Sequence, residues 1–341
     1  MKVLVTGGAG FIGSNFVRHL LRSQSDVSVI NFDKLTYAAN LENLAGIPES
    51  ARYEFVQGDI ADPEAVQKVF AESLDAVINF AAETHVDRSI EDASPFLHTN
   101  IFGTQCLLEA ARRSHLSRFI QISTDEVYGS APSGESFNEQ ATLDPRSPYA
   151  ASKASADHFV TAYANTYGVA AVILRCTNNY GPFQFPEKLI PLIIANAREN
   201  KIIPLYGDGL QQRDWLFVED YCRAIELTLI KAIPGSVYNV SAGSPQENLH
   251  IVRTILRLLG KPESLIQYVQ DRPGHDRRYA LDSSKLQNEL GWKPQVGFEE
   301  GIQKTIDWYL TNSAWLDRAR SGEYRKYYDR HYTRRAETYK K

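Results

Sequence analysis

The sequence predicts an α/β protein built on a doubly wound parallel sheet, with a smaller α/β domain towards its C-terminal end. Three observations carry that expectation. A short apolar strand over residues 2–6 runs straight into the glycine-rich turn Gly7-Gly-Ala-Gly10-Phe-Ile-Gly13. Strand-like and helix-like segments then alternate to about residue 180, the pattern of βα units in one parallel sheet. Beyond Tyr180 the alternation loosens, as in a second unit closing over the first. The expected division is therefore 1–180 and 181–341, with an approximate boundary that lets segments interleave.

The elements follow in order. Gly7, Gly10 and Gly13 allow a tight turn, a close backbone approach to a pyrophosphate, and helix–strand packing. The helix that follows, over residues 14–21, offers free N–H groups and a partial positive charge. A second strand over 27–32 ends on Asp33, about 20 residues beyond the glycines. An acid there accepts from both ribose hydroxyls and disfavours a 2′-phosphate. The pattern reads as a Rossmann-type site for NAD rather than NADP, with Lys34 next door as the contrary signal. A strand over 53–56 leads to Gly58-Asp59-Ile60, then a helix from about Pro63 to Ala71. The strand over 75–79 is followed by Phe80-Ala81-Ala82-Glu83-Thr84, small residues that let a cofactor lie close. A helical region spans about 94–114.

Two stretches carry the candidate chemistry. Phe119 to Gly129 starts as a strand and delivers Thr124, Asp125 and Glu126 from its carboxyl end, where open α/β sheets place their ligands. After Pro145 and Pro148 a helix runs to about Tyr167, with Tyr149 and Lys153 one turn apart on one face. An ammonium near a phenol favours phenolate and lowers the tyrosine pKa from about 10. Tyr149 is thus a candidate base for an alcohol proton. A lone Tyr-x-x-x-Lys is more often an ordinary helix face. The pair gains weight from the glycine fingerprint and the acid pair together.

Composition narrows the classes. A chain of 341 residues with 43% hydrophobic and 23% charged residues is long enough to bury a full core. The net charge of −4 gives no general attraction to nucleic acid or an anionic membrane surface. Cys106, Cys176 and Cys222 show no paired spacing, which suits reduced thiols in the cytoplasm. No signal-peptide pattern, membrane-length apolar run or metal-ligand spacing is expected; His85-Val-Asp87 is the nearest approach to the last. The basic, aromatic stretch from Asp317 to Lys341 is broken by acids and reads as a solvated, partly packed terminal helix rather than a nucleic-acid tail.

In the second half, Ile203-Pro-Leu-Tyr206-Gly-Asp-Gly209 reads as strand and turn. Arg213 and Arg272 carry guanidinium forks suited to a diphosphate, although each taken singly is more commonly a surface ion pair.

The glycine fingerprint with Tyr149 and Lys153 resembles the extended short-chain dehydrogenase/reductase superfamily. Within it, Ser-Thr-Asp-Glu-Val-Tyr-Gly at 123–129, Ala-Ala-Glu-Thr-His-Val-Asp-Arg-Ser at 81–89 and Arg-Cys-Thr-Asn-Asn-Tyr-Gly-Pro at 175–182 resemble the dTDP-glucose 4,6-dehydratases. The likeness runs nearly end to end, and Thr124-Asp125-Glu126 is its most specific part. Thr84 and Thr177 stand where the family frequently has serine, and both keep a hydroxyl.

The resemblance implies further site residues. For NAD they are Gly7, Gly10, Phe11, Ile12, Gly13, Asp33, Lys34, Leu35, Thr36, Asp59, Ile60, Phe80, Ala81, Ala82, Thr99, Tyr149, Lys153 and Asn179. For a nucleoside-diphosphate glucose they are Thr84, Thr124, Asn178, Lys188, Leu189, Arg213, Asn248, Asp271, Arg272 and His275, with Pro204 and Tyr206 flanking the base. The implied reaction is redox-neutral. Tyr149, with Thr124 and Lys153, takes the 4-hydroxyl proton while hydride leaves C4. Glu126 takes the C5 proton, Asp125 protonates the departing 6-hydroxyl, and hydride returns to C6.

The rivals are a UDP-glucose dehydratase, a sugar-nucleotide 4-epimerase, which lacks the acid pair, and a non-catalytic NAD sensor, which has no need of Thr124, Tyr149 and Lys153 together. The helices near 94–114 and 149–167 carry apolar surface that suits a homodimer as well as packing within one chain.

Overall fold

The computed structural model describes residues 1–47, 52–114 and 116–321. The glycine-rich turn sits where the sequence places it. β1 (Lys2–Thr6) ends at Gly7, whose φ of +67° only glycine adopts without strain. A Cβ there would lie 2.7 Å from the backbone N of Ala81. α1 (Phe11–Ser23) starts at Gly10 with no side-chain cap, so its first-turn amides stay available to an anion.

The chain continues through β2 (Ser28–Asp33), β3 (Tyr53–Gln57), α2 (Pro63–Phe70), β4 (Ala76–Asn79) and α3 (Val86–Glu91). The helical region at 94–114 is not one regular helix. Ser94–Phe96 (α4) leads into a π-helical stretch, Leu97–Gly103, before α5 (Thr104–Ser114). Gly103 is packed so closely on Ile60 that a Cβ would lie 2.6 Å from its side chain. β5 (Arg118–Thr124), α6 (Pro148–Tyr167), β6 (Ala171–Cys176) and β7 (Asn178–Tyr180) complete the first half. Ser147 caps α6 by accepting from the Ala150 N–H at 3.1 Å, with Pro148 at the first helical position.

The second half comprises α7 (Leu189–Arg198), β8 (Ile203–Tyr206), β9 (Gln212–Phe217), α8 (Val218–Lys231), β10 (Val237–Val240), β11 (Pro245–Glu247), α9 (Asn248–Leu258), β12 (Ile266–Val269), α10 (Ser284–Leu290), α11 (Phe298–Thr311) and α12 (Ser313–Ala319). The expected terminal helix beyond Ser321 lies outside the described residues.

Seven parallel strands form one sheet in the order β10-β6-β5-β4-β1-β2-β3. The order reverses beside β1, which opens a crevice at the carboxyl ends of β1 and β4. Both faces are covered, as parallel sheets require. Val3 and Val5 face one core with α1 and α8, while Leu4 faces the other with α2, α5 and α6. β10 and α8 belong to this sheet and its core, so the second half interleaves with the first. A separate core gathers Ile193, Ile203, Trp215, Ile251, Ile302 and Trp315 under the small sheets β11-β9-β7 and β12-β8.

Candidate active site

A single cleft runs along the carboxyl edge of the large sheet, from the glycine turn to the start of α6. At one end Gly7, Gly10, Phe11, Ile12 and Gly13 meet Asp33, Lys34, Thr36, Asp59 and Ile60; Phe80, Ala81, Ala82, Thr84 and Thr99 follow along it. A Cβ on Gly13 would run into the Gly7 carbonyl, so backbone approaches backbone at the turn. Asp33 is 6% exposed and accepts from the Ala9 N–H at 2.9 Å and the Leu35 N–H at 2.8 Å. Each carboxylate oxygen keeps a further acceptor position. Lys34 ion-pairs with Asp59 at 2.6 Å, so the cation beside Asp33 already has its counter-charge. That answers the contrary signal of the sequence: the residues fit a dinucleotide with free ribose hydroxyls. Leu35, at φ +60°, turns its side chain onto the core and holds Asp33 through its backbone.

The reactive groups stand at the other end, where Thr124, Asp125, Glu126, Tyr149, Lys153, Asn178, Asn179 and Lys188 line the cleft. β5 ends at Thr124, and residues Asp125–Tyr128 form a 3₁₀ turn. The Thr124 hydroxyl accepts from the Glu126 N–H at 3.3 Å and donates to Asp125 Oδ1 at 3.1 Å. It also lies near enough to the Tyr149 phenol to favour its ionised form.

The expectation that Lys153 lowers the Tyr149 pKa does not hold in this geometry. Burial, then the Glu126 carboxylate, push the phenol well above its ordinary value, against the nearby Thr124 hydroxyl. Lys153 donates from Nζ to the Ile122 carbonyl at 2.6 Å, and burial lowers its ammonium to about 8, with Asp157 opposing. Helical spacing puts Tyr149 and Lys153 on one face, and the lysine gives one of its three donors to the strand end.

The two acids differ in their surroundings. Burial and the neighbouring Glu126 raise Asp125 far above the usual carboxylate range. Glu126 is raised by burial too, but Arg272, Arg213 and Lys188 draw it back. Asp125 therefore keeps its proton more readily than Glu126. Its Oδ2 is buried without a protein partner.

Of the remaining expected substrate residues, Arg213, Arg272 and Lys188 act on the Glu126 charge, whereas Leu189, Pro204, Tyr206, Arg213, Asn248, Asp271, Arg272 and His275 are not among the residues that line the cleft. Arg213 donates to the Asp276 carbonyl at 2.9 Å and stacks 4.1 Å from the Tyr279 ring centroid. The Tyr206 ring meets His275 edge-on at 6.2 Å, and His275 Nδ1 is 2.6 Å from Asp271 Oδ1. Burial and the two arginines lower His275 to about 4. Lys188 Nζ donates to the Thr84 carbonyl at 2.9 Å. Asn179 spends its amide on Cys176 Sγ and the Thr177 carbonyl. Asn248 is buried with Oδ1 unpartnered, its backbone N–H donating to Gln211. Pro204 is buried in β8, and Leu189 packs on the second core.

Sequence reasoning missed Glu83, Ser123, Gln184, Glu187 and Tyr221, which line the same cleft. Glu83 and Ser123 lie inside motifs already singled out. The other three carry no local signal, because the fold alone brings them to the cleft. Among the described residues no His, Cys, Asp and Glu group could hold a metal, and no helix is long and apolar enough to cross a membrane.

A doubly wound sheet with this glycine turn, and a Thr/Tyr/Lys set at its carboxyl edge, defines the extended short-chain dehydrogenase/reductase class. Comparison with known proteins narrows it. The GDP-mannose 4,6 dehydratase family profile matches residues 4–305. An Escherichia coli dTDP-glucose 4,6-dehydratase is 50% identical, covering 95% of this chain and 98% of its own. The structure of DesIV, the dTDP-glucose 4,6-dehydratase of Streptomyces venezuelae with NAD and TYD bound, superposes with a TM-score of 0.91 at 47% identity, covering 94% of this chain and all of its own. The UDP-glucose 4-epimerase of Thermus thermophilus, in complex with NAD, gives 0.85 at 34%, over 92% of this chain and all of its own. The chain belongs to the dTDP-glucose 4,6-dehydratase family.

Proposed function

We propose that this chain converts dTDP-glucose to dTDP-4-keto-6-deoxyglucose by NAD-dependent, redox-neutral dehydration. The observation that carries the reading is the Asp125–Glu126 pair beside Thr124 and Tyr149, with one acid set to hold a proton and the other to lose it. The cleft residues from Gly7 to Asp59 and along Phe80–Ala82 would hold NAD, which supplies a hydride acceptor that later returns the hydride.

The chain's own residues do the rest. Tyr149 takes the proton of the sugar 4-hydroxyl in its phenolate form, which burial disfavours and the nearby Thr124 hydroxyl favours. A ketone at C4 acidifies the C5 hydrogen, and Glu126 accepts that proton. Asp125 delivers its proton to the departing 6-hydroxyl, since hydroxide leaves poorly unassisted. Arg213 and Arg272 suit the diphosphate, and Tyr206 with Pro204 the base.

A 4-epimerase needs no acid pair, and an NAD sensor needs none of the reactive set. Incubation with dTDP-glucose and, separately, UDP-glucose tests the reading by mass and NMR identification of products. The account expects the 4-keto-6-deoxy sugar from dTDP-glucose. A 4-epimer, no turnover, or preferential use of UDP-glucose would overturn it.

The working unit proposed is a cytoplasmic homodimer. Leu97 (53% exposed) and Phe102 (43%) lie on the π-helical stretch, and Phe159 (39%) and Tyr167 (53%) on α6, which packs against it; these exposed apolar side chains support the reading. The free cysteines support a reducing compartment. Light scattering should give the dimer mass for the protein and a monomer for Phe102→Glu; a monomeric wild type would contradict this.

A further inference from the structure

Asp87 lies on α3, in the nucleotide-binding half, and no step above uses it. Its side chain is 2% exposed, a burial that an ionised carboxylate tolerates only with partners. Two such partners come from the other half of the chain. The Tyr206 hydroxyl donates to Asp87 Oδ2 at 2.8 Å, and Arg272 Nη1 reaches Oδ1 at 3.4 Å. One oxygen serves each. Burial works against the Arg272 charge, and Asp87 leads the groups that hold it above its ordinary value. The same carboxylate favours the charged form of Lys188.

We propose that Asp87 is the positioning residue of the nucleoside-diphosphate subsite, one oxygen fixing the Tyr206 ring beside the base and the other aiming the Arg272 guanidinium at the diphosphate. The inference rests on the substrate reading above. Geometry and charge pull in opposite directions here, which makes the sign informative. A residue that merely neutralised the cations would weaken phosphate binding in the wild type, and its removal would tighten it. A positioning residue does the reverse: without it a guanidinium and an aromatic ring must be ordered at the moment of binding. Asparagine has the same shape, but it accepts with one atom and donates with the other. It can suit Arg272 with its oxygen and let the Tyr206 hydroxyl accept, losing the charge but keeping part of the pinning.

The experiment measures dTDP binding by calorimetry, with steady-state kinetics on dTDP-glucose, for holoenzymes carrying Asp87→Ala, Asp87→Asn and Tyr206→Phe. Asp87→Ala should raise the dTDP dissociation constant and KM roughly tenfold, with Asp87→Asn in between. The kcat should fall by less than KM rises, since Asp87 reaches Glu126 only through Arg272, and bound NAD should be unchanged. Adding Tyr206→Phe to Asp87→Ala should cost little more, since that hydroxyl has already lost its partner. Should Asp87→Ala fail to fold, Asp87→Asn and Tyr206→Phe carry the test, each weakening dTDP binding.

Tighter or unchanged dTDP binding in Asp87→Asn would overturn the proposal, as would a fall in kcat at constant KM. A wild-type protein that does not bind dTDP overturns the substrate reading, and this inference with it. A wild type that binds dTDP, beside an unaffected Asp87→Asn, overturns the inference alone.

Discussion

Asp125 is buried and Glu126, next to it in the chain, half-buried; three cations, Arg272, Arg213 and Lys188, draw Glu126 back towards ionisation, and of these Arg213 acts on Asp125 as well. Asp125 has the Thr124 hydroxyl at 3.1 Å and the Glu126 charge beside it. Neighbouring acids with unlike surroundings separate into a proton donor and a proton acceptor. The dehydration account depends on that separation.

Tyr149→Phe removes the base and leaves the ring. Its turnover should fall about 10²–10⁴-fold, while nucleotide affinity stays within error. Stopped-flow absorbance and nucleotide titration check both; wild-type turnover would take Tyr149 out of the chemistry.

Arg213→Lys keeps a cation but loses the fork and the stacking on Tyr279. The KM for dTDP-glucose should rise by about tenfold with a smaller change in kcat. An unchanged substrate dissociation constant would count against a diphosphate role.

Hydride movement should be internal. Substrate deuterated at C4 should yield product with deuterium at C6 and no need of a second reductant, read by mass spectrometry. Loss of the label to solvent would contradict the redox-neutral scheme.

The pH profile carries its own sign. Lys153, lowered by burial to about 8, is charged below that pH and loses its ammonium as pH rises through it. That charge strengthens the hydrogen bond to the Ile122 carbonyl, which fixes the strand end beside Thr124 and Tyr149, so the oxidation half-reaction should decline above about pH 8. Lys153→Arg stays charged throughout and should move that limb upward, whatever its absolute rate. An alkaline limb unchanged in Lys153→Arg would assign it to another group.

Much of this was legible in the chain. The strand, glycine turn and Asp33 gave the dinucleotide end because their spacing is local. Tyr149 and Lys153 were visible at helical spacing, but the carbonyl that holds Lys153 belongs to Ile122, 31 residues away. Asp87 meets Tyr206 across 119 residues and Arg272 across 185, and no local pattern shows such a meeting. The π-helical stretch at Leu97–Gly103 keeps an ordinary helical sequence pattern and shows itself only in the backbone. β10 joins the large sheet from the second half because parallel pairing with β6 is a long-range choice.

The most direct test of the account is the double variant Asp125→Asn with Glu126→Gln. Neither amide can deliver or accept the required proton, while Thr124, Tyr149 and Lys153 stay in place. With dTDP-glucose added, the holoenzyme should still show an absorbance rise from NADH, and quenched samples should contain a 4-keto sugar that keeps its 6-hydroxyl. Dehydration should fall by about 10²–10⁴-fold or more. Formation of the 6-deoxy product at the wild-type rate would contradict the assignment of elimination to Asp125 and Glu126.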